Sequence, residues 1–186
     1  AAQMAAYKIL PPTFDAWLEI LRQVEGSVLW LREQSTGMAA RVREYARERE
    51  VDPSRLVFAR PEPIPRYLAR FRLADLFLDT VPFGSHTTVN DALFVGLPAI
   101  ACAGRTFAAR ASASQLRAAG LPELVAASLD DYVRIAVSLA RDRERLRGTA
   151  FALRERRDTL PLFDLDRYAR SFEAAIERAW AETPVD

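Results

Sequence analysis

One short stretch of the 186-residue chain gathers side chains able to hold an anion: Gly84-Ser85-His86-Thr87-Thr88, followed by Asp91. A helix opening there offers free N–H groups and a positive dipole end to a phosphate, and the Thr87 and Thr88 hydroxyls and a His86 ring nitrogen add donors. Asp91, four residues beyond Thr87, lies one turn into that helix, where a carboxylate accepts two hydrogen bonds from a ribose diol. A plainer reading makes Thr87 or Thr88 an N-cap and Asp91 a dipole-compensating acid. Rarity weighs against it: His86 is the only histidine, and Lys8 the only lysine among 26 basic residues. A lysine kept where arginine fills every other basic position suits a site that wants a compact, flexible point charge, such as one against a diphosphate.

Other chemistries find no support. The chain has no glycine fingerprint for dinucleotides, no P-loop and no metal-spaced set of Cys, His and carboxylates, so neither a metal nor another cofactor is expected. His86 adjoins Ser85 in a turn without a nucleophile elbow, which sets a Ser-His-Asp hydrolase aside. The net charge of +1 is too even for phosphate-backbone binding, and no nucleic-acid partner is expected. Cys102, the single cysteine, reads as a small hydrophobe in a buried strand. No apolar run approaches a membrane span, and residues 1–6 carry no signal-peptide pattern; a cytoplasmic protein is expected, with those six residues a cut edge before Tyr7-Lys8-Ile9.

The elements that must position these side chains follow from periodicity. Phe14, Trp17, Leu18, Ile20, Leu21 and Val24 recur at helical spacing behind Pro11 and Pro12. Residues 27–32 and 55–59 are short apolar runs suited to strands buried on both faces, with a helix over 37–50 between them. A short helix over 65–72, a strand over 74–79, a helix over 87–95 and a strand over 99–102 follow. Next come a helix over 106–119, a weak strand over 124–127, and amphipathic helices over 129–147 and 164–180. Trp17, Trp30 and Trp180 take core-facing positions. This alternation predicts an α/β fold, a Rossmann-like open parallel sheet with helices on both faces. The expected core covers about residues 1–158 and a C-terminal helical segment residues 159–186. Ligands bind beyond the carboxyl ends of such strands, which favours loops 60–65, 80–88 and 103–106.

Ordered blocks run through the whole sequence: Tyr7-Lys8-Ile9 followed by Pro11, Ser27-Val-Leu-Trp-Leu31, Arg55-Leu-Val-Phe58, the run from Tyr67 to Thr80, His86-Thr-Thr88 with Asp91, and Gly104-Arg-Thr-Phe-Ala-Ala-Arg110 leading to Ala113-Ser-Gln-Leu116. Together they resemble the C-terminal catalytic lobe of the O-GlcNAc transferase family, glycosyltransferase family 41, in its bacterial form. The resemblance implies a GT-B fold, two Rossmann-like lobes about a nucleotide-sugar cleft, with the other lobe and tetratricopeptide repeats outside this sequence. It implies inverting, metal-independent transfer of GlcNAc or a related hexose from UDP to a Ser, Thr or Asn side chain of a polypeptide. By position, Lys8 neutralises the diphosphate, His86, Thr87 and Thr88 hold its oxygens, and Asp91 binds the ribose. Tyr67, where many members carry a His, stacks on the uracil, and backbone groups of Glu62, Pro63 and Ile64 read the base edge. Lys8 is then the catalytic residue, stabilising the departing UDP. The implied partners are UDP-GlcNAc or another UDP-hexose, a polypeptide acceptor and the other lobe, without which this piece binds and does not turn over.

Three blocks depart from the family pattern, one of them the Pro-rich base-binding loop Arg60-Pro-Glu-Pro-Ile-Pro65, which lacks the Lys found in some relatives. Gln3-Met-Ala-Ala6 replaces an amide-bearing strand, and Arg105 replaces an acid near the cleft. They motivate a second reading, a degenerate lobe kept as a scaffold or interaction module, which uridine-nucleotide binding separates from the first. A UDP-sugar epimerase of the same architecture is disfavoured by the family-specific blocks.

Overall fold

The computed structural model describes residues 1–35 and 37–183. Helix α1 (Pro11–Gln23) opens with two prolines, whose fixed φ and missing N–H suit a first helical turn. It turns Phe14, Trp17, Leu18 and Leu21 into the core. Full burial of side chains this size stabilises by roughly 1.5–3 kcal/mol each. Strands β1 (Leu29–Arg32) and β2 (Leu56–Ala59) pair in parallel, Leu29 opposite Leu56, with α2 (Met38–Arg47) between them in sequence. Helix α3 (Ile64–Phe71) crosses to β3 (Phe77–Leu78), which pairs in parallel with β4 (Ala99–Cys102), itself paired with β5 (Val125–Ala126). Helices α4 (Thr87–Phe94) and α5 (Phe107–Ala118) connect these last strands, and α6 (Leu129–Arg141), α7 (Arg143–Arg156) and α8 (Leu165–Glu182) complete the chain.

The first residues join the two strand groups. Ala2 bridges Leu31 in parallel, its N–H donating to the Trp30 carbonyl at 2.8 Å, and the Leu78 N–H donates to the Ala1 carbonyl at 2.9 Å. Ala2, Gln3 and Met4 are buried, and the Gln3 amide donates to the Trp30 carbonyl at 3.3 Å. Residues 1–4 therefore lie at the centre of the sheet, where the sequence reading placed no strand. They lack the β-branched residues that announce a strand, so only tertiary context reveals them. The spatial order is β2, β1, residues 1–4, β3, β4, β5, the doubly wound arrangement in which the first strand is central. Right-handed crossovers place the helices of the two halves on opposite faces. On one, α1 packs on α6 and on α2, with Phe14 and Tyr45 ring centroids 5.5 Å apart; on the other, α4 packs with α3 and α5.

Three expectations need correction. The helix over 129–147 breaks at Asp142, whose φ of −98° and ψ of 79° leave the helical region. Its carboxylate accepts the Arg145 N–H at 2.9 Å and so starts α7, a capping role that the continuous apolar period concealed. The strand over 74–79 shrinks to two residues, because the Ala74 N–H closes a turn onto the Phe71 carbonyl. Trp17 is buried and Trp30 half-buried, but Trp180 is 80% exposed, and α8 buries none of its residues. No helix among the described residues is long and apolar enough to cross a membrane.

Candidate functional site

Chain direction across the sheet reverses between residues 1–4 and β3, and the crevice beyond the carboxyl ends of these neighbours is where such sheets take ligands. Leaving the first, the chain makes a 3-10 turn, Ala6–Lys8. Leaving β3, it makes the loop over residues 79–86. Lys8 ties the two together: its Nζ donates to the Gly84 carbonyl at 3.1 Å and lies 4.3 Å from the centroid of the Phe83 ring. Burial lowers the Lys8 pKa below the usual lysine range, and the negative charge of Asp79 opposes that shift.

The loop is held along its whole length. The buried Asp79 carboxylate accepts the Ser85 N–H at 2.8 Å and the Ser85 hydroxyl at 2.6 Å. The Thr80 hydroxyl donates to the Phe83 carbonyl at 2.7 Å, and Thr13 of α1 donates to the Val81 carbonyl at 2.7 Å while accepting the Val81 N–H at 3.2 Å. Close approach explains Gly84, since a Cβ there would stand 2.6 Å from Ser112 Oγ and 3.0 Å from Asp79 Oδ2.

His86 ends the loop at φ +47°, a backbone region that residues with a Cβ seldom enter. It stands at the N-cap of α4, and no side chain caps that helix. Helices α5 to α8 are capped by Thr106, Ser128, Asp142 and Asp164. The plainer reading of Thr87 or Thr88 as the N-cap thus fails. Both lie in the first turn, Thr87 exposed and Thr88 half-buried; the Thr88 N–H donates to the Ser85 carbonyl at 3.1 Å and the Asn90 N–H to the His86 carbonyl at 3.1 Å, which leaves the Thr87 and Val89 N–H groups for a ligand. His86 Nε2 lies 3.1 Å from the Ala108 carbonyl, which only accepts, so Nε2 carries a proton and Nδ1 is the nitrogen left for a ligand. Phe83 stacks on the imidazole at 5.2 Å and 13°, and Phe107 meets it edge-on at 6.0 Å.

One turn along α4, half-buried Asp91 accepts the Tyr67 hydroxyl at 3.2 Å. Burial raises the pKa of both groups, and the Asp91 charge adds to the rise at Tyr67. The Tyr67 ring leans on Phe71, with centroids 4.8 Å apart. Tyr67 therefore links α3 to α4 and orients Asp91, a role its position in the sequence did not reveal. Ahead of α3, Glu62 pairs with Arg70 at 3.0 Å and with Arg66 at 3.9 Å, and Arg70 also donates to the Arg60 carbonyl at 2.6 Å. Pro63 has no N–H, and its carbonyl accepts the Tyr67 N–H at 2.9 Å. Ile64 is exposed and the Pro63 carbonyl keeps a second lone pair, so carbonyl groups remain available along this segment.

Lys8 and His86 meet around the Phe83 ring, Thr87 and Thr88 follow at the start of α4, and Asp91 with Tyr67 extends the row by one turn. Sequence reasoning missed Asp79, Phe83, Phe107 and the Ala108 carbonyl. A signal existed for Phe83, a large aromatic between Pro82 and Gly84 with no core period to serve. Among the described residues, no group of three or more His, Cys, Asp or Glu is placed to hold a metal ion.

Residues 3–172 match the family described as Glycosyl transferase family 41. The chain is 37% identical over 174 residues to a UDP-N-acetylglucosamine–peptide N-acetylglucosaminyltransferase of Caenorhabditis elegans, covering 94% of this chain and 15% of that protein. The solved structure of a mutant Thermobaculum terrenum O-GlcNAc transferase matches it with a TM-score of 0.85 and 31% identity, covering 96% of this chain and 34% of that one. The chain spans well under half the length of the proteins it matches.

Proposed function

The chain belongs to glycosyltransferase family 41, and from that premise we propose that it is the donor-binding lobe of a protein glycosyltransferase acting in the cytoplasm. Its donor is UDP-GlcNAc or another UDP-hexose, and the parent enzyme transfers the hexose to a Ser or Thr hydroxyl or an Asn amide of a polypeptide. The observation that carries this reading is the bond from Lys8 to the Gly84 carbonyl, in the turn that leads into the start of α4 at the reversal point of the sheet.

As the acceptor attacks the anomeric carbon from the face opposite UDP, the bond to the diphosphate breaks and negative charge grows on its oxygens. The Lys8 ammonium, the Thr87 and Thr88 hydroxyls and the Thr87 and Val89 N–H groups of α4 are the donors for such a charge, and stabilise it more in the transition state than in the bound donor. One fixed cation and these neutral donors supply what a divalent cation supplies elsewhere. Asp91, oriented by Tyr67, accepts from the ribose diol, and the backbone of Glu62, Pro63 and Ile64 borders the base. The acceptor site and any base belong to a second lobe, and the chain by itself binds without turning over. Support for that partner comes from α8, whose Leu165, Tyr168, Phe172, Ile176 and Trp180 form an exposed apolar stripe.

Calorimetric titration of UDP, with ADP as the control, tests the reading. UDP binds in preference to ADP, and Lys8→Ala or Asp91→Ala weakens it by about tenfold or more, the loss of one charge-assisted hydrogen bond. A folded chain and a full-length parent that both lack uridine preference would instead favour the scaffold reading.

A further inference from the structure

Asp79 is a buried ionisable group that the donor reading leaves without a role. It lies at the carboxyl end of β3, 1% exposed, where a carboxylate is tolerated only if its oxygens are satisfied. Oδ1 accepts both donors of Ser85, the N–H at 2.8 Å and the hydroxyl at 2.6 Å. Oδ2 lies beside Gly84, 3.0 Å from where a Cβ would stand. Around it are the Ser112 hydroxyl from α5, the Thr80 N–H, the Tyr132 phenol from α6 and the Lys8 ammonium from the Ala6–Lys8 turn. Burial raises the Asp79 pKa, opposed by the nearby hydroxyls of Ser112 and Ser85. Lys8 is the cation in this set, and the Gly84 carbonyl that accepts from it belongs to the turn that Asp79 fastens.

We propose that Asp79 is a positioning residue of the donor-diphosphate site: through Ser85 it fixes the turn that presents the Gly84 carbonyl to Lys8 and His86 to the start of α4, and it places a buried negative charge behind the Lys8 ammonium. The inference rests on the diphosphate reading of Lys8. The arrangement has a chemical logic. A carboxylate bonded directly to Nζ would compete with the phosphate for the same protons. Asp79 bonds Ser85 instead, so that Nζ uses one proton on Gly84 and keeps two for a ligand. The charge acts through the short turn, favouring the ammonium without occupying it.

The single lysine gives a direct test. In protein carrying lysine enriched in 13C at Cε, one side-chain signal reports the ionisation of Lys8 alone. Asp79→Asn keeps an oxygen for Ser85 and removes the charge, whereas Ser85→Ala keeps the charge and removes one fastening. Removing a negative neighbour disfavours the ammonium, so in D79N the Lys8 midpoint moves to lower pH, with an unchanged far-UV spectrum. In S85A the midpoint stays and UDP affinity falls several-fold; in D79N affinity falls by about tenfold or more. A midpoint unmoved in folded D79N overturns the charge role, and wild-type UDP affinity in S85A overturns the fastening role even if D79N fails to fold. If the unmutated chain binds UDP while these variants behave like it, the inference fails and the donor reading stands. If neither the unmutated chain nor the full-length parent binds UDP, the donor reading fails, the diphosphate role falls with it, and the midpoint alone decides the counter-charge.

Discussion

At His86 the backbone stands at φ +47° and the ring is clamped between Phe83 and Phe107, with Nε2 on the Ala108 carbonyl. A residue with a Cβ meets strain of about 1–2 kcal/mol there, while glycine does not. Replacing His86 by Gly and by Ala removes the same ring contacts and leaves backbone strain as the main difference. The Gly variant is therefore expected to be the more stable of the two by about 1 kcal/mol in urea unfolding, with UDP affinity reduced in both. Equal stabilities would show that the conformation carries no strain. At this scale the sequence announced Lys8, His86, Thr87 and Thr88 through rarity and their place before a helix. It did not announce that Tyr67 uses its hydroxyl on Asp91, or that Glu62 pairs with Arg70, because both depend on how α3 approaches its neighbours.

Two helices brace the exit of β3. Thr13 of α1 bonds both the N–H and the carbonyl of Val81, and Tyr132 of α6 donates to the Asp79 carbonyl at 2.9 Å while accepting the Trp17 Nε1–H at 3.2 Å. The Tyr132 hydroxyl thus joins α1, α6 and β3 at one buried point. Tyr132→Phe keeps the ring and leaves a core carbonyl and an indole N–H without this partner, a loss of about 2 kcal/mol or more in chemical denaturation. A loss below about 0.5 kcal/mol would mean that the three elements are held by apolar packing alone. The strands and helices themselves were legible because the buried apolar runs of β1, β2 and β4 and the amphipathic period of α1 are local patterns. Residues 1–4 escaped, as their strand character comes from lying between β1 and β3. The break at Asp142 escaped for another reason: an apolar period ran straight across a residue whose capping preference was the better guide.

Over the whole molecule, packing is divided unevenly between the doubly wound core and α8. Leu160 is 3% exposed and Phe163 meets Phe94 at 5.6 Å, so the chain remains packed on the core through residue 163. Beyond it, Leu165, Tyr168, Phe172, Ile176 and Trp180 are spaced by three or four residues and each is more than half exposed. An apolar stripe along a helix with a polar opposite side has the pattern of a face that another surface covers. Ending the chain after Phe163 removes, among the described residues, none that the core buries, and should leave the melting temperature and UDP affinity unchanged while reducing self-association in sedimentation velocity. Ending it after Asp158 strips away Leu160 and Phe163, and should lower stability by roughly 2–4 kcal/mol, the transfer of two large apolar side chains to water. On the donor-lobe proposal, Phe172→Glu with Trp180→Glu in the full-length parent should depress transfer to the polypeptide and spare UDP binding, because none of the bonds that hold Lys8, His86 or Asp91 comes from α8. Transfer at the unmutated rate would show that the stripe plays no part in joining the lobes.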